Sequence, residues 1–322
     1  MQFKKFIIFG GSGFIGTHTK NLLKEKYPEA KIVIADILAS GADDCNQRVD
    51  VRNPIKMNGD FGKDTLIFNF AAIHRTPGHP DYAYFETNIR GAENVCAFAQ
   101  EKGIENIVFT SSIAPYGASE SLKSEETLPT PNTPYGISKL IAEKIHLEWA
   151  AKAAERKLSI VRPGIVFGTG EKGNMTRLFK GLKSHMFAYA GRKDTIKACI
   201  YVKDLAHVML AMAENKDAEK IQLHNCCYYP SFTIEQITNT ILKVTGMKRF
   251  IPFIPQKPMM TVATVCGLFG GLGLNICPAR VKKLIISTNI SGEKLNRNYP
   301  LTYTLEGAFE DWWNDCEQKA LE

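Results

Sequence analysis

The chain has 322 residues, 44% hydrophobic and 23% charged, which is too apolar for disorder and long enough for one large domain or two modest ones. Lys and Arg outnumber Asp and Glu by 40 to 33, a net charge of +7. No Lys/Arg run of the kind found in nucleic-acid arms accompanies that excess, so nucleic acid is excluded as a partner and a preference for anionic ligands remains.

In chain order, FKKFIIF (3–9) reads as a buried strand preceded by too short an apolar run for a signal peptide. A helix follows from Phe14 to about Lys26, then strands at 31–35 and 65–71, a helix near 82–101 and a strand at 106–110. A long helix over about 135–153 and the strand LSIVR (158–162) complete a strand–helix alternation that predicts a parallel sheet covered on both faces. After Arg162 the rhythm breaks. Helices are predicted at 174–184, 202–214 and 233–245, among short strands and Pro-rich turns. Residues 258–277 carry no charge over about the length of a membrane span, but four glycines weaken them as a helix. They read as a buried helix and loop, so membrane contact is not expected; a membrane-surface or spanning segment is the alternative. The eight cysteines are scattered without a C-x-x-C pair, which predicts reduced thiols, no metal site and a cytoplasmic protein.

Gly10-Gly11-Ser12-Gly13-Phe14-Ile15-Gly16 sits between the first strand and its helix. A pyrophosphate needs that arrangement: a tight turn, close backbone approach and free N–H groups at a helix N-terminus. Asp36 closes the second strand, 20 residues beyond Gly16. A carboxylate there accepts ribose hydroxyls and repels a 2′-phosphate, so the cofactor expected is NAD rather than NADP.

Tyr135 and Lys139 stand at i and i+4 on one helix face. A phenol is a poor base at neutral pH, and lowering its pKa by roughly three units takes about 4 kcal/mol. A cation about 4 Å away at an effective dielectric of about 20 supplies that much. The pair can then remove a hydroxyl proton while hydride leaves the same carbon.

GGSGFIG, Asp36, DVR (50–52), NFAA (69–72), Tyr84 with Asn88, TSSIAPYG (110–117), YGISK (135–139), RPGIVFG (162–168) and YVKDLA (201–206) together resemble the extended short-chain dehydrogenase/reductases, in the NAD-dependent epimerase/dehydratase group. The resemblance implies a Rossmann-type doubly wound parallel sheet with a smaller C-terminal α/β region for substrate. The boundaries expected are 1–166 for NAD, with 194–222 returning to it, and 167–193 with 223–322 for substrate. It implies a catalytic set of Tyr135, Lys139 and Ser112. It implies cofactor contacts at Gly10, Gly13, Phe14, Ile15, Gly16, Asp36, Asp50, Val51, Ala71, Ala72, His74, Ser111, Tyr135, Lys139 and Pro163. For a nucleotide diphosphosugar it implies Ser112, Tyr135, Asn174 and Arg280, and it implies a homodimer built on the helices near 88–101 and 135–153.

Dehydratases of the group resemble one another in an Asp-Glu pair after the catalytic Ser or Thr, and double epimerases in a Cys. Ile113 and Ala114 stand there instead. Hydride chemistry at one carbinol remains, with C4 epimerisation through a transient keto sugar as the first reading. Many 4-epimerases carry R-x-x-N after the sixth strand, where this chain has Arg162-Pro163-Gly164-Ile165. A nucleotide-sugar dehydrogenase or 4-ketoreductase, or a hydroxysteroid-type dehydrogenase, are the alternatives.

Overall fold

The computed structural model describes residues 3–41, 43–75, 78–255 and 285–321. Arg280 and the stretch 258–277 lie outside them. In chain order the elements that matter below are β1 (Lys5–Phe9), α1 (Phe14–Lys26), β2 (Lys31–Asp36), β3 (Asn46–Arg48), β4 (Thr65–Asn69), α2 (Asp81–Glu101) and β5 (Asn106–Thr110). There follow β6 (Ser119–Lys123), α3 (Pro134–Ala151), β7 (Lys157–Pro163), β8 (Ile165–Phe167), α4 (Asn174–Lys183), β9 (Tyr189–Ala190) and β10 (Ile196–Lys197). Next come β11 (Cys199–Tyr201), α5 (Val202–Glu214), β12 (Ile221–Cys226), β13 (Phe232–Thr233), α6 (Ile234–Thr245), β14 (Phe253–Ile254) and β15 (Thr288–Ile290).

Seven strands form one parallel sheet in the order β12-β7-β5-β4-β1-β2-β3. Its central strands β1, β4 and β5 read as largely apolar runs because both faces are covered. Ile7, Phe9, Ile67, Ile107 and Phe109 pack under α2 and α3 with Val95, Phe98 and Trp149. Phe6, Ile8, Leu66, Phe68 and Val108 pack on the other face with Leu23 of α1 and Leu205 and Met209 of α5. The chain winds outward from β1 to β3, then returns to β4 and runs the other way. That reversal opens a crevice at the carboxyl ends of β1 and β4, the place where doubly wound sheets take ligands.

A separate core gathers Phe167, Phe179, Tyr201, Ile237, Phe309 and Trp312. Around it lie a four-stranded sheet, β13-β10-β15-β6, and two short pairs, β8 with β11 and β9 with β14. No described helix is long and apolar enough to cross a membrane.

Candidate active site

The glycine turn sits in the crevice. Gly10 takes φ +73°, and a Cβ there would stand 2.8 Å from the Ala71 nitrogen, so β1 and the end of β4 meet backbone to backbone. A Cβ on Gly16 would stand 2.6 Å from the Gly11 Cα, which is how the third glycine lets α1 seat against the turn. Gly13 caps α1 with no side-chain bond, and the first turn carries no acid. Asp36 is buried and accepts from the Ser12 N–H at 3.0 Å and the Leu38 N–H at 2.9 Å. The acid that faces the ribose in the sequence reading thus also fixes the turn. These features fit a dinucleotide: an uncapped helix N-terminus for its pyrophosphate and a buried carboxylate one strand away.

Asp50 pairs with Arg52, Nη2 to Oδ2 2.6 Å, and that hydrogen bond holds its carboxyl below the usual range. Val51 is buried beneath α2, where Gly91 leaves room for it, and the Asn94 amide donates to its carbonyl at 2.7 Å. Ala71 and Ala72 follow β4 half-buried. Asn88 of α2 clamps the next residue: its Oδ1 accepts from the Ile73 N–H at 2.9 Å, and its Nδ2 donates to the Ile73 carbonyl and the Ser138 hydroxyl. It therefore ties the strand end to the helix that carries Tyr135. His74 lies exposed on the rim.

Thr133 caps α3 through its hydroxyl, accepting from the Gly136 N–H at 3.1 Å, and Pro134 opens the first turn. A Cβ on Gly136 would lie 2.7 Å from the Ala114 carbonyl oxygen, so the helix start sits tightly on the segment after β5. That contact sets the Tyr135 phenol beside the Ser112 hydroxyl. Burial pushes the Tyr135 pKa up and the Ser112 bond opposes it. Lys139 is 3% exposed; its ammonium donates to the Thr110 carbonyl at 2.6 Å and lies 4.4 Å from the centre of the Phe109 ring. Burial pulls its pKa down to about 7, against the Glu143 carboxylate, which raises it. Tyr135 thus sits beside Ser112 with Lys139 one helix turn on, and burial outweighs what Ser112 does to lower the phenol. Pro163 lies alongside, its carbonyl accepting from the Ile113 N–H at 3.1 Å.

Two expected residues sit differently. The Ser111 hydroxyl is committed to Glu143, so its side chain belongs to the wall behind the site. Asn174 is the first residue of α4, not its cap; it is exposed, and its Oδ1 accepts from Arg177 at 2.9 Å. The residue filling that helix end is Glu171, 5% exposed, whose Oε2 accepts from the Thr176 N–H at 2.8 Å. Arg280 lies outside the described residues.

The wall behind Lys139 was not singled out in the sequence. Glu143 receives both Nε (2.8 Å) and Nη2 (2.6 Å) of Arg162, which also donates to the Tyr116 hydroxyl at 2.6 Å. Tyr116 in turn donates to Asn225 at 2.9 Å. Burial works against the Arg162 charge, but Glu143 outweighs it and raises the Arg162 pKa. The available signal was spacing: 135, 139 and 143 lie on one helix face, and an acid on a buried face requires a partner.

Residues 6–226 match the NAD dependent epimerase/dehydratase family. The chain belongs to that family. NAD is accordingly its cofactor, and the Gly10–Gly16 turn, α1 and Asp36 have the geometry to hold it. The chain is 28% identical to an Escherichia coli O157:H7 N-acetyl-alpha-D-glucosaminyl-diphospho-ditrans,octacis-undecaprenol 4-epimerase, over 93% of this chain and 91% of that protein. It is 26% identical to a UDP-glucose 4-epimerase from Azospirillum brasilense, over 79% and 81%. A UDP-glucuronic acid 4-epimerase from Bacillus cereus, solved in complex with NAD, shares the fold with a TM-score of 0.73 at 19% identity, covering 98% of this chain and 96% of that one.

Proposed function

We propose that this enzyme inverts C4 of a diphosphate-linked sugar. What supports the reading is Tyr135 beside Ser112, with the buried Lys139 one helix turn on, in a chain whose full-length relatives are named 4-epimerases. NAD, when bound, supplies the hydride acceptor and its later donor, and its positive ring adds the charge that the phenol lacks in this chain alone. Ser112 holds the C4 oxygen against Tyr135. The phenolate takes the C4 hydroxyl proton as the carbon is oxidised and returns it after the keto sugar has turned over. Lys139 stabilises the phenolate and is anchored by the Thr110 carbonyl. No carboxylate stands at Ile113 or Ala114 to draw a neighbouring proton, which disfavours dehydration.

Two carriers are weighed for the diphosphosugar. A nucleotide is the sequence reading and has the support of the UDP-glucose relatives. A polyprenyl carrier is favoured by a different observation: the relative matched over 93% of the chain is named for an undecaprenyl diphosphosugar. The test is to incubate the purified enzyme with UDP-N-acetylglucosamine and, separately, with the polyprenyl diphosphate of the same sugar in detergent, then resolve gluco and galacto epimers after hydrolysis. Interconversion of either supports C4 epimerisation and names the carrier; oxidised sugar with accumulating NADH, or no turnover of either, overturns it. Self-association along α2 and α3 belongs to the same reading, since Ile137 and Ile141 of α3 stand 36% and 39% exposed.

A further inference from the structure

Large apolar side chains and cations gather at one edge of the molecule, away from the NAD crevice. Met186 and Phe250 are 80% and 89% exposed, and Phe253 and Ile254 of β14 are 48% and 37% exposed. They are held side by side. The Met186 and Phe187 N–H groups both donate to the Gly181 carbonyl, fixing the turn after α4. The Arg249 guanidinium donates to the Lys183 carbonyl, and β14 pairs with β9 in the register Tyr189 to Phe253. Single exposed apolar residues are ordinary; several on one fixed edge mark a contact surface.

The same segments hold a charge asymmetry. Residues 172–193 and 236–255 contain nine Lys or Arg and no Asp or Glu, so the rest of the chain holds 31 cations against 33 anions. Neighbouring acids answer some of these: Arg192 pairs with Glu120 and Asp194, Lys193 with Glu235, and Lys243 with Glu306. No carboxylate among the described residues pairs with Lys183, Lys248 or Arg249, the cations that flank Met186 and Phe250. Lys183 and Lys248 thus put exposed positive charge beside the projecting Met186 and Phe250.

From this juxtaposition we infer that the edge docks on the surface of a lipid bilayer carrying anionic headgroups. Met186 and Phe250 enter the boundary between headgroups and acyl chains, and the exposed Lys183 and Lys248 lie against the phosphates, while Arg249 ties the two segments together from within. Projecting side chains suit a soft medium, and a bilayer alone offers apolar depth beneath a sheet of negative charge. No described helix is long and apolar enough to cross a membrane, and the contact inferred is a peripheral one. It does not depend on the reaction proposed above, because vesicle binding needs no turnover.

The test is co-sedimentation of the full chain with phosphatidylcholine vesicles, with and without phosphatidylglycerol. Binding is expected only to the anionic vesicles, and to weaken about tenfold as ionic strength rises from about 0.01 M to about 0.15 M and the Debye length falls from about 30 to about 8 Å. Lys183→Glu with Lys248→Glu, and separately Met186→Ser with Phe250→Ser, should each lower partitioning about tenfold or more. All four positions are exposed, so thermal melting and turnover of a water-soluble diphosphosugar should stay as in the parent. Protein left in the supernatant with anionic vesicles at low salt overturns the inference. So does equal capture by neutral vesicles, unaltered capture of both double variants, or salt-sensitive binding to an acidic protein without any to vesicles.

Discussion

Two glycine-rich loops each open a helix in this chain, and they use the helix end in opposite ways. GGSGFIG leads into α1, whose cap Gly13 brings no side chain and whose first turn brings no acid. GTGEKGN leads into α4, where the buried Glu171 carboxylate already accepts from the Thr176 N–H. The two loops are alike in sequence, because glycine and a following amphipathic run are common to both. What separates them is whether the chain supplies its own anion. A helix N-terminus attracts phosphate only while its N–H groups are unanswered.

The largest effect is expected where the α1 end is destroyed. Gly16→Val would drive a side chain into the Gly11 Cα and the Gly10 carbonyl oxygen, 2.6 and 2.7 Å from a Cβ. Both are backbone atoms, so neither can swing aside. NAD recovered from denatured protein should fall at least tenfold, and overpacking should cost about 1–3 kcal/mol in urea melts. Normal NAD content would break the assignment of this helix end. Tyr135→Phe in α3 should keep NAD and lower turnover by about 10²–10⁴. Turnover near that of the parent would remove the phenol from the mechanism.

Glu143 sharpens the comparison from inside, since it is a second buried carboxylate that the chain spends on itself. Its partner Arg162 and its own side chain are 5% and 2% exposed. Glu143→Gln breaks a buried pair and should cost about 3–5 kcal/mol in denaturant melts. It also removes the charge that keeps Lys139 protonated. The Lys139 pKa is about 7 folded against an ordinary 10.5, so from pH 7 upward the unfolded chain holds a proton that the folded chain lacks. Its burial therefore weighs fully on stability below about pH 7 and is relieved as pH rises toward 10.5. Activity runs the other way, since the charged ammonium is lost as pH rises through about 7. Glu143→Gln should shift that alkaline limb toward acid, and Glu143→Asp should restore it. An unmoved limb in Glu143→Gln would reduce Glu143 to a structural role.

The parallel sheet was legible because its signal is local. The strands under α2 and α3 are continuous apolar runs, and α1 spans Phe14–Lys26, as its glycine turn and periodicity predict. β12 was not legible as the sheet's seventh strand. Ile221–Cys226 carries His224 and Asn225, which read as surface, yet both are buried. Distant residues make that possible: Glu125 accepts from the Asn225 N–H at 2.7 Å, and Asn298 meets His224 at 3.2 Å. Tyr135 and Lys139 were paired by their helix spacing and Ser112 was supplied by the resemblance, whereas the Glu143–Arg162–Tyr116 wall joins three separate elements and has no sequence period. Glu171 was hidden for the same reason, because its acid reads as one more polar loop residue until the fold turns it onto the helix.

The smallest effect is expected at Asn174, and it bears most directly on the contrast between the two helix ends. If α4 received the sugar diphosphate through this residue, Asn174→Ala should raise KM for the diphosphosugar about tenfold or more. The side chain instead faces solvent and holds Arg177, and the helix end behind it is already filled. KM should therefore change by less than about twofold, as for an exposed hydrogen bond. Glu171→Gln is the counterpart. It weakens a helix cap, lowering stability by about 0.5–2 kcal/mol, and it removes the resident negative charge. If that charge is what separates α4 from α1, the variant should bind inorganic phosphate or sulfate more tightly than the parent by isothermal titration. Unchanged anion binding, together with a large KM effect at Asn174, would mean that α4 recognises substrate despite its carboxylate, and the contrast would have to be drawn from side-chain recognition instead.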